Sequence, residues 1–255
     1  MFSETIFGPI HSRRLGTSLG INLSPRDGKV CTFDCLYCEA GYNAQGTGSS
    51  GLPRRAQVAS LLELRLTQLR DEGVNIDVIT FSGNGEPTVN PDFADIIDDT
   101  IALRDRYYPE ARVSVLCNST MLHRPVVVAA LLRADNAIMK LDSAIQRTVE
   151  LLDRPTSPSY DVATVIEQLA AMGNKIIIQT MLTYGSHDGE EVDNTGDAEI
   201  AALCEAYRRI APRRIMLYSL DRPTPEQSLH KVERERLVAI GERISAATGI
   251  EVSIA

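Results

Sequence analysis

Residues Asp77-Val-Ile-Thr-Phe-Ser-Gly-Asn-Gly-Glu-Pro87 read as a short apolar strand that runs directly into a polar, glycine-rich turn. An apolar run this short, bounded by aspartate and glycine, suits a buried strand better than a helix. On its N-terminal side, residues 57–72 place Val58, Leu61, Leu62, Leu66 and Leu69 at helical spacing. On its C-terminal side Asp95–Leu103 reads as a helix and Val113–Cys117 as the next strand. The alternation continues with Val126–Leu132 (helix), Ala137–Leu141 (strand), Val162–Met172 (helix) and Lys175–Thr180 (strand). A helix about Ile200–Ile210, a strand Arg214–Tyr218, a helix Val232–Ala246 and an edge strand within Ile250–Ile254 complete the series. The first strand falls near Ile21–Leu23 or Lys29–Cys31.

Strands separated by helices of this length pair in parallel through right-handed crossovers. With six to seven such units in 255 residues, a partial barrel fits better than a complete eightfold one. The expectation is an α/β fold, a partial (β/α)6-type TIM barrel with a parallel sheet, built as one domain over residues 1–255. Gly46–Gly51 reads as a loop inside it, and no internal repeat is visible.

The composition agrees with a globular chain: 44% apolar and 24% charged residues. A formal charge of −8 argues against avid nonspecific nucleic-acid binding, which depends on many neutralised phosphates. No run of 18 apolar residues occurs, and MFSETIFGPIHSRR lacks the order of a secretion signal. No membrane association is expected, and a cytoplasmic location is.

Polar residues collect where the strands end: Gly83, Gly85 and Glu86; Asn118 and Ser119; Lys140 and Asp142; Gln179; Asp221 and Arg222. In parallel α/β folds that end of the strands carries the ligand face, so the five groups point to one site. Each also has a plain structural alternative. Asn118 can cap a helix, Lys140 can pair with Asp142, and Gln179 can satisfy backbone.

Three of the five cysteines fall within eight residues, Cys31-Thr-Phe-Asp-Cys35-Leu-Tyr-Cys38, while Cys117 and Cys204 stand apart. An odd, clustered count suits metal ligation better than a disulfide framework. Soft sulfur selects zinc, copper(I) or iron–sulfur. Zinc would want a fourth ligand, but no second C-x2-C is present and the four histidines are scattered. Three thiolates suit a [4Fe–4S] cluster with one iron left open. Cys117 and Cys204 read as core residues.

C-x3-C-x2-C with the aromatic Tyr37 before its third cysteine, at the head of a βα series, resembles the signature of the radical S-adenosylmethionine (radical SAM) superfamily. The resemblance implies that Cys31, Cys35 and Cys38 hold the cluster and that SAM chelates its open iron. It implies reductive cleavage of SAM to a 5′-deoxyadenosyl radical, which abstracts hydrogen from a substrate. An external one-electron reductant of flavodoxin or ferredoxin type would supply the electron. Ser82-Gly-Asn-Gly-Glu-Pro87 looks like the family's Gly-Gly-Glu-Pro element, with Asn84 as a departure, so Gly83, Gly85 and Glu86 are expected near the SAM amine. Tyr37, Asn118, Ser119, Lys140, Asp142 and Gln179 are the further SAM contacts the resemblance implies.

The run Gly8-Pro-Ile-His-Ser-Arg-Arg-Leu-Gly-Thr-Ser-Leu-Gly20 and Asp221-Arg-Pro223 are similar to a subgroup related to wyosine-tRNA enzymes. That implies a macromolecular, tRNA-like substrate. Arg13, Arg14, Arg54 and Arg55 are candidates for a local phosphate-binding rim, with solvated surface or backbone support as the plain alternative. The acidic charge and the single cysteine triplet count against tRNA. Alternatives are a protein- or peptide-modifying enzyme, such as a glycyl-radical-enzyme activase, and a non-enzymatic iron–sulfur scaffold or electron carrier. The polar loop Gly41–Pro53 reads as a rim that receives a partner.

Overall fold

The computed structural model describes residues 1–12 and 15–255, and these fall into two compact units. The first comprises Met1–Cys31, Asn43–Cys117 and Arg124–Ala137. It opens with β1 (Ile6–Ser12) and β2 (Gly16–Ile21), paired antiparallel. Phe7 lies across from Gly20, where a Cβ would stand 2.1 Å from the ring, so only glycine admits this aromatic. Next come α1 (Arg55–Asp71), β3 (Val78–Phe81), α2 (Phe93–Tyr107), β4 (Arg112–Cys117) and α3 (Pro125–Leu131). β3 pairs in parallel with β2 and with β4. All four β3 residues are buried, as a strand covered on both faces requires. α1 contributes Val58, Leu62, Leu66 and Leu69 to the core, and Phe93 of α2 meets Phe81 edge to face at 6.1 Å.

The second unit comprises Thr32–Tyr42, Asn118–His123 and Ile138–Ala255. Its elements are the end of β5 (Asn136–Lys140), α4 (Gln146–Leu152), α5 (Val162–Met172), β6 (Ile176–His187) and β7 (Glu190–Asp193). Then follow α6 (Asp197–Ile210), β8 (Arg214–Ser219), β9 (Leu229–Lys231), α7 (Arg234–Thr248) and β10 (Val252–Ile254). β8 lies between β6 and β10, parallel to both. Asp161 caps α5, accepting from the Thr164 N–H at 2.8 Å, and Gly249 ends α7 in the left-handed conformation. Ile176, Ile178, Ile215, Leu217, Leu203 and Tyr207 fill the core, each at most 1% exposed.

The alternation of strands and helices is as the sequence reading has it, with four differences. The first parallel strand is β2, which ends rather than begins at Ile21, and β1 precedes it as an unread hairpin partner. Glycines at 8, 16 and 20 interrupt the apolar pattern there. Residues 29–31 form no strand, only a single bridge between Val30 and Gly85. α4 has just two buried residues, Val149 and Leu152, too few for a periodic signal. Finally, β6 runs on to His187, and its second half pairs antiparallel with the short charged strands β7 and β9. The Gly41–Pro53 loop is tied down at its middle, because the Asp27 carboxylate accepts from the backbone and hydroxyl groups of Ser49 and Ser50.

Candidate cofactor site

In the first unit the turn after β3 is built around Gly83, Asn84 and Gly85. The Glu86 N–H donates to the Val30 carbonyl at 3.0 Å, and the Val30 N–H donates to the Asn84 carbonyl at 3.2 Å. This lays the segment before Cys31 against the turn. A Cβ on Gly85 would stand 1.9 Å from the Val30 oxygen, and one on Gly83 would stand 2.4 Å from Asn22 Oδ1. Both glycines are therefore required by close approach of the chain to itself. Asn84, fully buried, bonds Phe2 and Pro25 backbone. Glu86 is 4% exposed, and its Oε1 accepts from the Thr88 N–H at 3.0 Å and hydroxyl at 2.6 Å, capping a short helical turn Pro87–Val89.

In the second unit the cysteine loop is held in two ways. The Cys38 N–H donates to the Cys35 carbonyl and the Gly41 N–H to the Cys38 carbonyl, so consecutive turns carry the two thiols. The Thr32 hydroxyl accepts from Asn118 Nδ2 at 2.8 Å and meets the Thr120 hydroxyl at 2.6 Å, while Asn118 Oδ1 accepts from Thr120. Asn118 thus serves the residue that follows Cys31. Ser119, fully buried with φ of 68°, donates from Oγ to the Lys140 carbonyl at 3.0 Å. A left-handed serine costs about 1 kcal/mol and is held by its surroundings.

Lys140 ends β5 within a buried polar cluster. Its ammonium contacts Asp142 Oδ2 and the Tyr37 hydroxyl, and lies 2.7 Å from Asp153 Oδ1. The Tyr37 hydroxyl also contacts Asp142, and the ammonium stands 4.7 Å from the Tyr37 ring centre. Burial works against the Lys140 charge, but Asp142 and Asp153 outweigh it and hold the amine protonated well above its ordinary range. Burial pushes the Asp153 carboxyl up; Lys140 pulls it back and Asp142 raises it further. Burial, then Asp142, pushes the Tyr37 phenol up.

Gln179 does not end its strand as its reading had it: β6 continues for eight residues beyond it, and its carbonyl accepts from the Leu141 N–H at 3.1 Å. Arg13 and Arg14 lie outside the described residues. Arg54 and Arg55 pair with acidic groups, Arg54 with Asp92 and Arg55 with Asp99 in a two-point contact. Arg222 reaches Glu39, and Asp221 reaches Lys231. Asp153 and Thr32 were not singled out by sequence. Nothing local distinguishes them, since each matters through partners over 10 residues away.

The donor set can be tested against a metal cluster. Cys31, Cys35 and Cys38 form no disulfide, and Cys35 is buried while the other two are half-buried. Among the described residues no three His, Cys, Asp or Glu side chains could hold a single metal ion. A cubane takes one thiolate per iron, so the chemistry of three cysteine donors suits it. Cys117 and Cys204 are buried core residues at 3% and 5% exposure.

The sequence model of the radical SAM superfamily matches residues 27–198, more than half of the chain. The chain belongs to the radical SAM superfamily, a superfamily of enzymes. Members use SAM and an iron–sulfur cluster for radical chemistry and generally need an external reductant. Over 255 residues the chain is 27% identical to a protein named GTPase Obg of Brachyspira hyodysenteriae, covering 99% of this chain and 35% of that protein. It is 26% identical over 223 residues to a UPF0026 protein of Helicobacter pylori, covering 86% of this chain and 67% of that one. The chain thus spans about a third of the length of the first of these relatives.

Among solved structures, a radical SAM methyltransferase from Sphaerobacter thermophilus superposes with a TM-score of 0.65 at 18% identity, covering 93% of this chain and 65% of that one. TYW1 with a lysine-pyruvate adduct bound superposes at 0.63 and 12% identity, covering 91% and 75%. These likenesses show the fold, mixed α/β with a largely parallel sheet, consistent with the partial barrel read from the sequence. Among the described residues no helix is long and apolar enough to cross a membrane.

Proposed function

We propose that Cys31, Cys35 and Cys38 hold one [4Fe–4S] cluster and that the enzyme reductively cleaves SAM. The observation that carries this reading is three cysteines outside any disulfide in C-x3-C-x2-C spacing, in a chain that belongs to the radical SAM superfamily. A cluster held there would supply one-electron chemistry for reductive cleavage of SAM and so for hydrogen abstraction from a substrate. The residues of this chain bind and orient. Gly83 and Gly85 keep the turn backbone bare of side chains, and Glu86 offers its second carboxylate oxygen to the SAM amine. Ser119, Lys140, Asp142 and Gln179 offer polar groups to the carboxylate and ribose, with Asn118 at the ribose and Tyr37 beside the adenine. In this reading residues 1–255 act as one radical SAM domain, served by a flavodoxin- or ferredoxin-type reductant in the cytoplasm.

The substrate in this reading is a macromolecule, with a tRNA-like RNA as the first candidate. The N-terminal Gly8–Gly20 motif and the likeness to TYW1 favour it. A protein or peptide is the second candidate, favoured by the net charge of −8 and by likeness to SuiB bound to its precursor peptide SuiA. Reconstitution without oxygen, followed by SAM, dithionite and either RNA or protein pools in deuterated form, decides between them. Deuterium in 5′-deoxyadenosine from the RNA pool alone supports the first, and from the protein pool alone the second. Label from a free metabolite pool only would refute both.

A further inference from the structure

Asp153 is not among the residues proposed to contact SAM. It stands at the C-terminal cap of α4 and is 2% exposed. Its carbonyl accepts from the Asp34 N–H at 3.0 Å, and the Leu152 carbonyl accepts from the Leu36 N–H at 3.0 Å. The Thr156 N–H donates to the Thr32 carbonyl at 3.0 Å, and Phe33 and Pro155 form an antiparallel bridge. The segment Thr32–Leu36, which carries Cys35, is therefore hydrogen-bonded to residues 152–156. From that segment the Asp153 side chain reaches the Lys140 ammonium at 2.7 Å.

A lone ammonium in such a place would be costly, and a carboxylate on either side is what keeps it charged. Lys140 is fixed over the ring of Tyr37, the residue between Leu36 and Cys38. Iron–sulfur potentials depend on net charge, burial and hydrogen bonding around the cysteine sulfurs. A nearby cation favours the reduced cluster, and a nearby carboxylate favours the oxidised one.

We propose that Asp153 is a positioning residue of the cluster site: it fixes Lys140 as a buried cation beside the Cys35–Cys38 turn, and the two charges set the cluster's reduction potential in opposite senses. The proposal rests on the cysteines holding a cluster as described under the proposed function. It assigns Asp153 no contact with SAM or substrate.

The test is a redox titration followed by electron paramagnetic resonance, on the full chain reconstituted without oxygen, at pH 8.5. Iron and sulfide are counted first. Lys140→Met is expected to shift the potential down, Asp153→Asn to shift it up, and Lys140→Arg to leave it near the parent value. Loaded variants whose potentials move together, or not at all, overturn the proposal, because simple loosening of the loop has no reason to produce opposite signs. Should Lys140→Met take up no cluster, the Asp153→Asn arm decides alone: an upward shift supports the proposal, and no shift or a downward one overturns it. A parent protein that binds no cluster overturns the proposed function and this proposal with it, which separates the two failures.

Discussion

The Asn84 side-chain amide takes both backbone polar groups of Phe2, accepting from its N–H at 2.7 Å and donating to its carbonyl at 2.7 Å. A third bond runs from Nδ2 to the Pro25 carbonyl at 3.0 Å. Asn84 departs from the glycine of the family's turn, and here it fastens the N-terminal segment to the turn after β3. Replacing it with glycine is expected to cost about 2–3 kcal/mol, roughly one for each net hydrogen bond lost. Urea unfolding measures the loss. Unchanged stability would show that Phe2 and Pro25 find equivalent partners.

In the proposed reading Glu86 serves two roles with one side chain, capping Thr88 and meeting the SAM amine. Oε1 serves Thr88 whether the residue is Glu or Gln, since an amide oxygen accepts as well. Glu86→Gln is therefore expected to leave the thermal midpoint nearly unchanged. It should weaken SAM binding by about 1.5–3 kcal/mol if the charge meets the SAM amine. Calorimetric titration of the reconstituted enzyme reads this, and intact SAM affinity with a loaded cluster would confine Glu86 to capping.

Asp135 makes the stability of the first unit depend on pH. Burial pushes its carboxyl up, but the Val113 N–H at 2.7 Å and the Arg104 guanidinium at 2.7 Å more than offset this and hold it below the usual range. A lowered folded-state value means stability present above the unfolded value and lost as pH falls through the folded one. Asp135→Asn is expected to cost about 1 kcal/mol at pH 7, a figure reduced for the group's partial exposure. The gap to the parent protein should close on acidification below about pH 4. A gap that widens in acid would contradict this reading.

How much of this was legible in the sequence differs by element. The strand before Ser82 and the helices facing it were readable because Val78, Ile79 and Phe81 sit between glycine-rich and charged boundaries, and Leu62, Leu66 and Leu69 repeat at helical spacing. The β1–β2 hairpin was not, because Gly20 owes its identity to Phe7 across the ladder, a contact that no local pattern records. The cysteine triplet announced itself by spacing. The clasp of Thr32 by Asn118 and the reach of Asp153 to Lys140 depend on partners 86 and 13 residues away, and only the fold brings them together. Lys140 and Asp142 were both read as ligand groups, with their mutual pairing as the alternative; the structure displays the pairing.

The central claim is that the three clustered cysteines, and not the two buried ones, make this chain a SAM-cleaving enzyme. The direct measurement is 5′-deoxyadenosine and methionine formed from SAM under dithionite, with iron counted in the same anaerobic sample. The account predicts equal amounts of both products from the parent protein and from Cys117→Ala and Cys204→Ala. It predicts neither product, and loss of the visible thiolate-to-iron absorbance, when Cys31, Cys35 and Cys38 are all replaced by alanine. Product formation or a retained cluster in that triple variant would contradict it.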